Sequence, residues 1–156
     1  RIVGTMEFAN EVCNRLGQAP TLLASKRIAA SDEPLTIAPM GPPPTADKKI
    51  LGVDVFVHAA HRDANKAGAD LSACNGGGLS LEMITNRGVK VWPNGLPQTF
   101  CTDHWRCRFR ADSGETTHEE IVALLGRVAA AGIDFIKTEH LCSFDGVPGF
   151  SLGQGQ

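Results

Sequence analysis

The sequence predicts an α+β fold, a ferredoxin-like βαββαβ two-layer sandwich preceded by a helix and a proline-rich linker. Three observations carry that expectation. Apolar and polar residues alternate with period two across residues 50–58, 79–92 and 99–111. Segments with helical spacing, 62–74 and 117–131, follow the first and third of these runs. A last strand, with poorer alternation, fits residues 134–142. The simplest closed solution for that order is a four-stranded antiparallel sheet with both helices on one face.

Each element has its own signal. Residues 5–16 read as a helix with Thr5 as N-cap, a stripe of Met6, Ala9, Val12, Cys13 and Leu16, and Gly17 as the stop. Residues 19–49 carry Pro20, Pro34, Pro39, Pro42, Pro43 and Pro44 and hold no period, as a semi-rigid linker would. In the first strand Leu51, Val53, Val55 and Val57 point one way, and Gly52, Asp54, Phe56 and His58 the other. The next helix has Ala64, Ala67, Leu71 and Cys74 on one side, small enough for close packing on a sheet, and Asn75-Gly76-Gly77-Gly78 ends it. In the second strand region Leu79, Leu81 and Met83 alternate with Ser80 and Glu82. Asn86-Arg87-Gly88 reads as a bulge or turn, with Val89–Trp92 continuing beyond it, and residues 93–98 form a loop. The third strand sets Cys101, Asp103, Trp105, Cys107 and Phe109 against Phe100, Thr102, His104, Arg106, Arg108 and Arg110. Thr117 and Glu120 make a capping box for a helix whose stripe is Ile121, Leu124, Leu125 and Val128, with Gly132 as its stop. The chain from Asp145 reads as an irregular, glycine-rich tail.

Composition narrows the partners. A chain of 156 residues suits one domain with length left for a linker, and 42% apolar residues can bury a core. A net charge of −2 and a pI of about 6.2 favour no polyanionic partner. No apolar run reaches membrane-spanning length and no signal peptide is visible. Five cysteines at irregular spacing suit a reduced, cytoplasmic protein better than a disulfide framework. The opening Arg1, in place of Met, suggests a piece of a longer polypeptide.

The chemistry-bearing patterns are weak. Cys101-x-x-His104-x-x-Cys107 has metal-like spacing, but on a strand the thiols and the imidazole point to opposite faces. His58-x-x-His61 could meet His140 or Cys142, yet solvated loop histidines are commoner. The Cys101 and Cys107 thiols are expected to be buried and inert. No phosphate-binding loop follows a strand, and no RNA-binding aromatic run accompanies Phe56 and Phe100. The sharpest polar feature is the Arg106, Arg108, Arg110 stripe, on a sheet face expected to be uncovered and shared with Asp54, Phe56, His58, Glu82 and His104. Cross-strand pairing with Asp54 and Glu82, or a subunit contact, is the expectation there.

Several blocks resemble the C-terminal extension of Thermus-type and proteobacterial isocitrate dehydrogenases: Gly52–Val57 (GVDVFV), Met83–Gly88 (MITNRG), Asp103–Phe109 (DHWRCRF) and Glu139–Gly155. Glu7 to Pro20 resembles the last helix of that family's catalytic core. The resemblance implies residues 1–18 as the end of an upstream core, 19–49 as linker, 50–144 as the ferredoxin-like domain and 145–156 as tail. It also implies a parent enzyme that oxidatively decarboxylates isocitrate to 2-oxoglutarate with NADP, or NAD, and Mg²⁺ or Mn²⁺. The family's catalytic motifs lie upstream of the extension, and tyrosine, which that chemistry uses, is absent here. No catalytic, cofactor-binding or metal residue is therefore assigned, and no cofactor is expected in this stretch. The expected role is subunit assembly and stability, with the chain's own catalytic domain and a second subunit as partners. The candidate interface is Phe56, Trp92, His104, Arg106, Arg108 and Arg110. An ACT-like small-molecule regulatory domain is the alternative, by analogy of element order alone.

Overall fold

The computed structural model describes residues 2–26, 37, 39–42 and 45–152. The chain divides into two units, Arg1–Pro42 and Pro43–Gln156.

In the first unit, helix α1 spans Thr5–Cys13. Its N-cap is Gly4 rather than Thr5, because the Glu7 carboxylate reaches back to accept from the Gly4 N–H at 3.2 Å. The apolar stripe of Met6, Ala9, Val12, Cys13 and Leu16 is exposed along its length. Much of the proline-rich linker expected over 19–49 (residues 27–36, 38 and 43–44) lies outside the described residues.

The second unit contains β1 (Lys48–His58), α2 (Ala64–Ser72), β2 (Leu79–Asn86), β3 (Val89–Trp92), β4 (His104–Ala111), α3 (His118–Ala130), β5 (Asp134–Phe144) and β6 (Val147–Pro148). The strands form one antiparallel sheet in the order β3-β2-β4-β1-β5-β6. This corrects the ferredoxin-like two-layer sandwich: the sheet has six strands and curls into a half-barrel. Two turns add the extra strands. Arg87 and Gly88, with φ of 53° and 81°, turn β2 into β3, so of the bulge or turn read there it is the turn that forms, and residues 79–92 are a hairpin. Asp145 and Gly146, with φ of 51° and 80°, turn β5 into β6, so the tail does not start as irregular chain. Positive φ at both central residues is the type I′ geometry whose twist matches flanking strands. Register shifts at Ile50/Gly52, Phe56/Val57, Leu81/Met83 and Ile84/Thr85 supply the curl, since a bulge bends its strand and sharpens local twist.

The main core lies between the sheet and the two helices. Val53, Val55 and Val57 of β1 meet Trp105, Cys107 and Phe109 of β4, with Leu71 of α2 and Ile121, Leu124 and Val128 of α3 above them. Both helices are capped as their sequences direct: Asp63 accepts from the Asn65 and Lys66 N–H groups, and Thr117 and Glu120 form the reciprocal box. The bulge around Glu82 changes which β2 residues face inward. Leu79 and Leu81 join the core, but Ile84 follows them there, while Met83 pairs with Arg108 on the other face. Gly52 fits where it stands because a Cβ would lie 2.2 Å from the Phe109 carbonyl oxygen. The third strand begins at His104, not at residue 99, and the preceding loop is stapled by buried Asn86. Its side chain donates to the Thr102 and His104 carbonyls (3.0 and 2.9 Å) and accepts from the Thr102 N–H (2.9 Å).

Candidate functional site

The sheet face expected to be uncovered is in large part closed. Asp54 and Arg108, neighbours across β1 and β4, are 0% and 1% exposed, and Phe56 is only 9% exposed. Arg108 donates from Nε and Nη2 to the two Asp54 carboxylate oxygens at 2.8 and 2.9 Å. Arg106 donates from Nε to the same carboxylate at 2.6 Å. The covering comes from the chain beyond β6. The Ser151 carbonyl accepts from Arg108 at 3.0 Å and Arg106 at 3.3 Å, and the Phe150 ring lies 5.0 Å from the Arg108 guanidinium and 5.7 Å from that of Arg110. Met83 and Leu141 are buried on this side, apart from the helix-facing core.

The six candidate interface residues are thus not one patch. Phe56 and Arg108 are buried, with Lys137 Nζ 4.2 Å above the Phe56 ring. Arg106 and Arg110 are half-buried, and His104 is exposed beside Phe56 at 5.8 Å between ring centroids. Trp92 is half-buried on the helix-facing side, its indole so close to Gly68 of α2 that a Cβ there would lie 2.3 Å from Nε1. The cation–aromatic cluster that does stand outward has no signal in the sequence pattern. Phe100 is 59% exposed, with the Arg62 and Arg87 guanidiniums 5.2 and 5.9 Å from its ring centroid.

The remaining titratable groups form pairs rather than a reacting set. His58 stands between Asp103 (3.6 Å) and Asp134 (3.7 Å). His61 Nε2 lies 3.9 Å from Asp70, which binds Lys66 at 2.7 Å. His140 stacks at 5.1 Å on His118. Partial desolvation holds its imidazole below the usual range, with the His118 and Lys48 charges adding to the effect. Cys101 and Cys107 are buried, and burial pushes the Cys107 thiol far up, which keeps it protonated and unreactive. Cys101, His104 and Cys107 do not converge, nor do His58, His61, His140 and Cys142. Among the described residues no group of three or more His, Cys, Asp or Glu side chains could hold a metal ion. No helix among the described residues is long and apolar enough to cross a membrane.

The most buried polar set of this face is an ion pair held within the sheet and covered by the chain beyond β6. Residues 48–156 match the family described as bacterial isocitrate dehydrogenase, C-terminal domain, and the chain belongs to that family. It is 37% identical over 163 residues to an isocitrate dehydrogenase [NADP] of Rickettsia felis, covering 99% of this chain and 32% of the relative. It is 34% identical over 155 residues to the enzyme of the same name from Thermus thermophilus, covering 97% of this chain and 31% of that one. A crystal structure of a Thermus thermophilus protein superposes with a TM-score of 0.65 at 34% identity, over 100% of this chain and 32% of the other. The chain spans about a third of the length of the curated relatives it matches.

Proposed function

We propose that this chain is the accessory C-terminal region of an NADP-dependent, cytoplasmic isocitrate dehydrogenase and that it serves subunit assembly and stability. The observation that carries the reading is the family match over residues 48–156, joined to relatives named for that enzyme. The parent reaction would be the oxidative decarboxylation of isocitrate to 2-oxoglutarate with NADP and a divalent cation. The described residues form no metal-ligating cluster, so no step of that reaction is placed on them. Two surfaces support a packing role. The apolar stripe of α1 is exposed and calls for a covering surface, which an upstream catalytic domain would supply. His104, Arg106 and Arg110 keep donor groups at the surface above a rigid Asp54–Arg108 base, a composition suited to contact with a second subunit.

The test uses the full-length enzyme with His104→Glu and Arg110→Glu, which leave the Asp54 pairs in place. Sedimentation should show dissociation at protein concentrations where the parent enzyme stays assembled, with association weakened by about tenfold or more. Unchanged mass at every concentration and an unchanged thermal midpoint would remove His104 and Arg110 from the contact. Full-length enzyme without isocitrate-dependent NADP reduction would remove the parent assignment.

A further inference from the structure

The outer edge of β5 is open along most of its length. The strand has eleven residues, Asp134–Phe144, and β1 pairs with its inner edge from end to end. On the outer edge β6 pairs with Ser143 and Phe144, and the Gly149 N–H donates to the Cys142 carbonyl at 2.8 Å. Among the described residues no strand pairs with the outer edge of residues 134–141. Asp134, Ile136, Lys137, Glu139 and His140 are exposed there, Ile136 by 53%. The N–H and C=O groups of such an edge are a template for an incoming strand. β5 holds no proline or glycine that would spoil it. Its one lysine, the usual repellent of an edge, comes with a carboxylate two residues on. Lys137 Nζ lies 2.7 Å from Glu139, on the sheet face that carries Phe56 and Asp54.

The order of these charges makes the stretch complementary to itself. Let two copies of β5 lie antiparallel with Thr138 of each on a twofold axis. Lys137 of one copy then stands opposite Glu139 of the other, and the same pair forms again across the axis. Opposite charges on directly opposed residues stabilise a strand pair, and like charges destabilise it. Sliding the register until residue 137 or 139 reaches the axis sets lysine on lysine or glutamate on glutamate. The charge pattern thus selects the register centred on Thr138. A twofold contact uses the same edge on both copies, so it is filled once two have met.

We propose that β5 joins a second copy of this chain, antiparallel about Thr138, and continues the sheet across a twofold axis. This contact rests on the assembly role proposed above and adds to it a surface other than His104 and Arg110.

Sedimentation of the 156-residue chain should show dimers forming at concentrations up to about 0.5 mM. The apolar stripe of α1 also offers a surface to a second copy, so the charges on β5 decide the route. Lys137→Glu and Glu139→Lys, both at exposed positions, should each weaken association about tenfold, because attraction turns to repulsion at two pairs. An equimolar mixture of the two variants should restore it, since each opposed pair is then a lysine and a glutamate on different chains. The Lys137–Glu139 pair within a chain is broken in both variants and contributes nothing to that rescue. Thr138→Cys gives an independent reading. A residue opposite itself has a Cα spacing of about 4.5–5.5 Å, within disulfide reach, so mild oxidation should yield a 138–138 link identified by peptide mass. A chain that stays monomeric at about 0.5 mM overturns the proposal. So do single variants that associate as the parent chain does, a mixture no better than its components, or Thr138→Cys without the 138–138 link. The His104→Glu and Arg110→Glu result on the full-length enzyme reports on the other surface, so the two contacts fail separately.

Discussion

Replacing Asp54 by Asn is expected to destabilise the second unit by about 3–5 kcal/mol, the usual cost of breaking a buried ion pair from one side. Asn keeps the shape but loses the charge and turns an NH₂ toward a guanidinium that itself carries only donors. The two arginines share the loss unequally. Arg106 has 24% of its side chain exposed and can recover water, whereas Arg108, at 1%, is cut off from solvent. The Ser151 carbonyl, 3.0 Å from Arg108, recovers part of the penalty and places the expectation near the lower bound. For a domain of this size about 3 kcal/mol lowers the thermal midpoint by roughly 10–15 °C. Urea titration followed by circular dichroism reads the same quantity as a shift in midpoint at constant slope. The double variant Asp54→Leu with Arg108→Met removes the buried pair, leaves the part-exposed Arg106 to turn to water, and should regain most of the loss, because a buried pair replaced by apolar side chains of similar volume is close to neutral. A midpoint for Asp54→Asn within about 2 °C of the parent chain, or a double variant no better than the single one, would refute the reasoning.

Gly52→Ala should cost about 3 kcal/mol in the same assay, since its Cβ would sit 2.2 Å from the Phe109 carbonyl oxygen and the β1–β4 pair must part to admit it. Asn86→Ala should cost about 2–3 kcal/mol by stranding the Thr102 N–H and two carbonyls, and limited proteolysis should then cut the 93–103 loop faster. His140 titrates lower in the fold than in the unfolded chain, so the unfolded state takes up the proton first. Its share of stability is complete above the unfolded value of about 6.5 and falls away as pH drops through the lower folded value. His140→Gln should flatten the midpoint-against-pH curve in that window, and an unchanged slope would show that other groups set it.

The strands that pack against helices are legible in the sequence because one face of each is uniformly apolar. Val53, Val55 and Val57, and Trp105, Cys107 and Phe109, are buried as their alternation directs. The bulge at Glu82 carries no residue signal, so the exchange of Met83 for Ile84 in the core stays hidden. The two added strands are signalled, by Arg87-Gly88 and by Asp145-Gly146, the latter among the strongest hairpin dipeptides. A glycine-rich composition masks the second. The burial of Arg108 cannot be read locally. An arginine in an alternating strand reads as solvent-facing until a distant segment is known to cross it, and here Phe150 and Ser151 do so. The unpartnered nitrogens of Trp105 and His61 are likewise a product of packing: a tryptophan at a core position predicts burial but not whether its N–H finds an acceptor.

The two outermost strands of the sheet also limit where a further strand could join it. β6 is two residues long and ends in Pro148, which has no N–H to offer, and β3 is four residues long and runs straight into Pro93. Short borders closed by proline give an incoming strand little ladder to join. Strand addition is hindered where β3 and β6 form the border, beside Ile84–Asn86 of β2 and Ser143–Phe144 of β5.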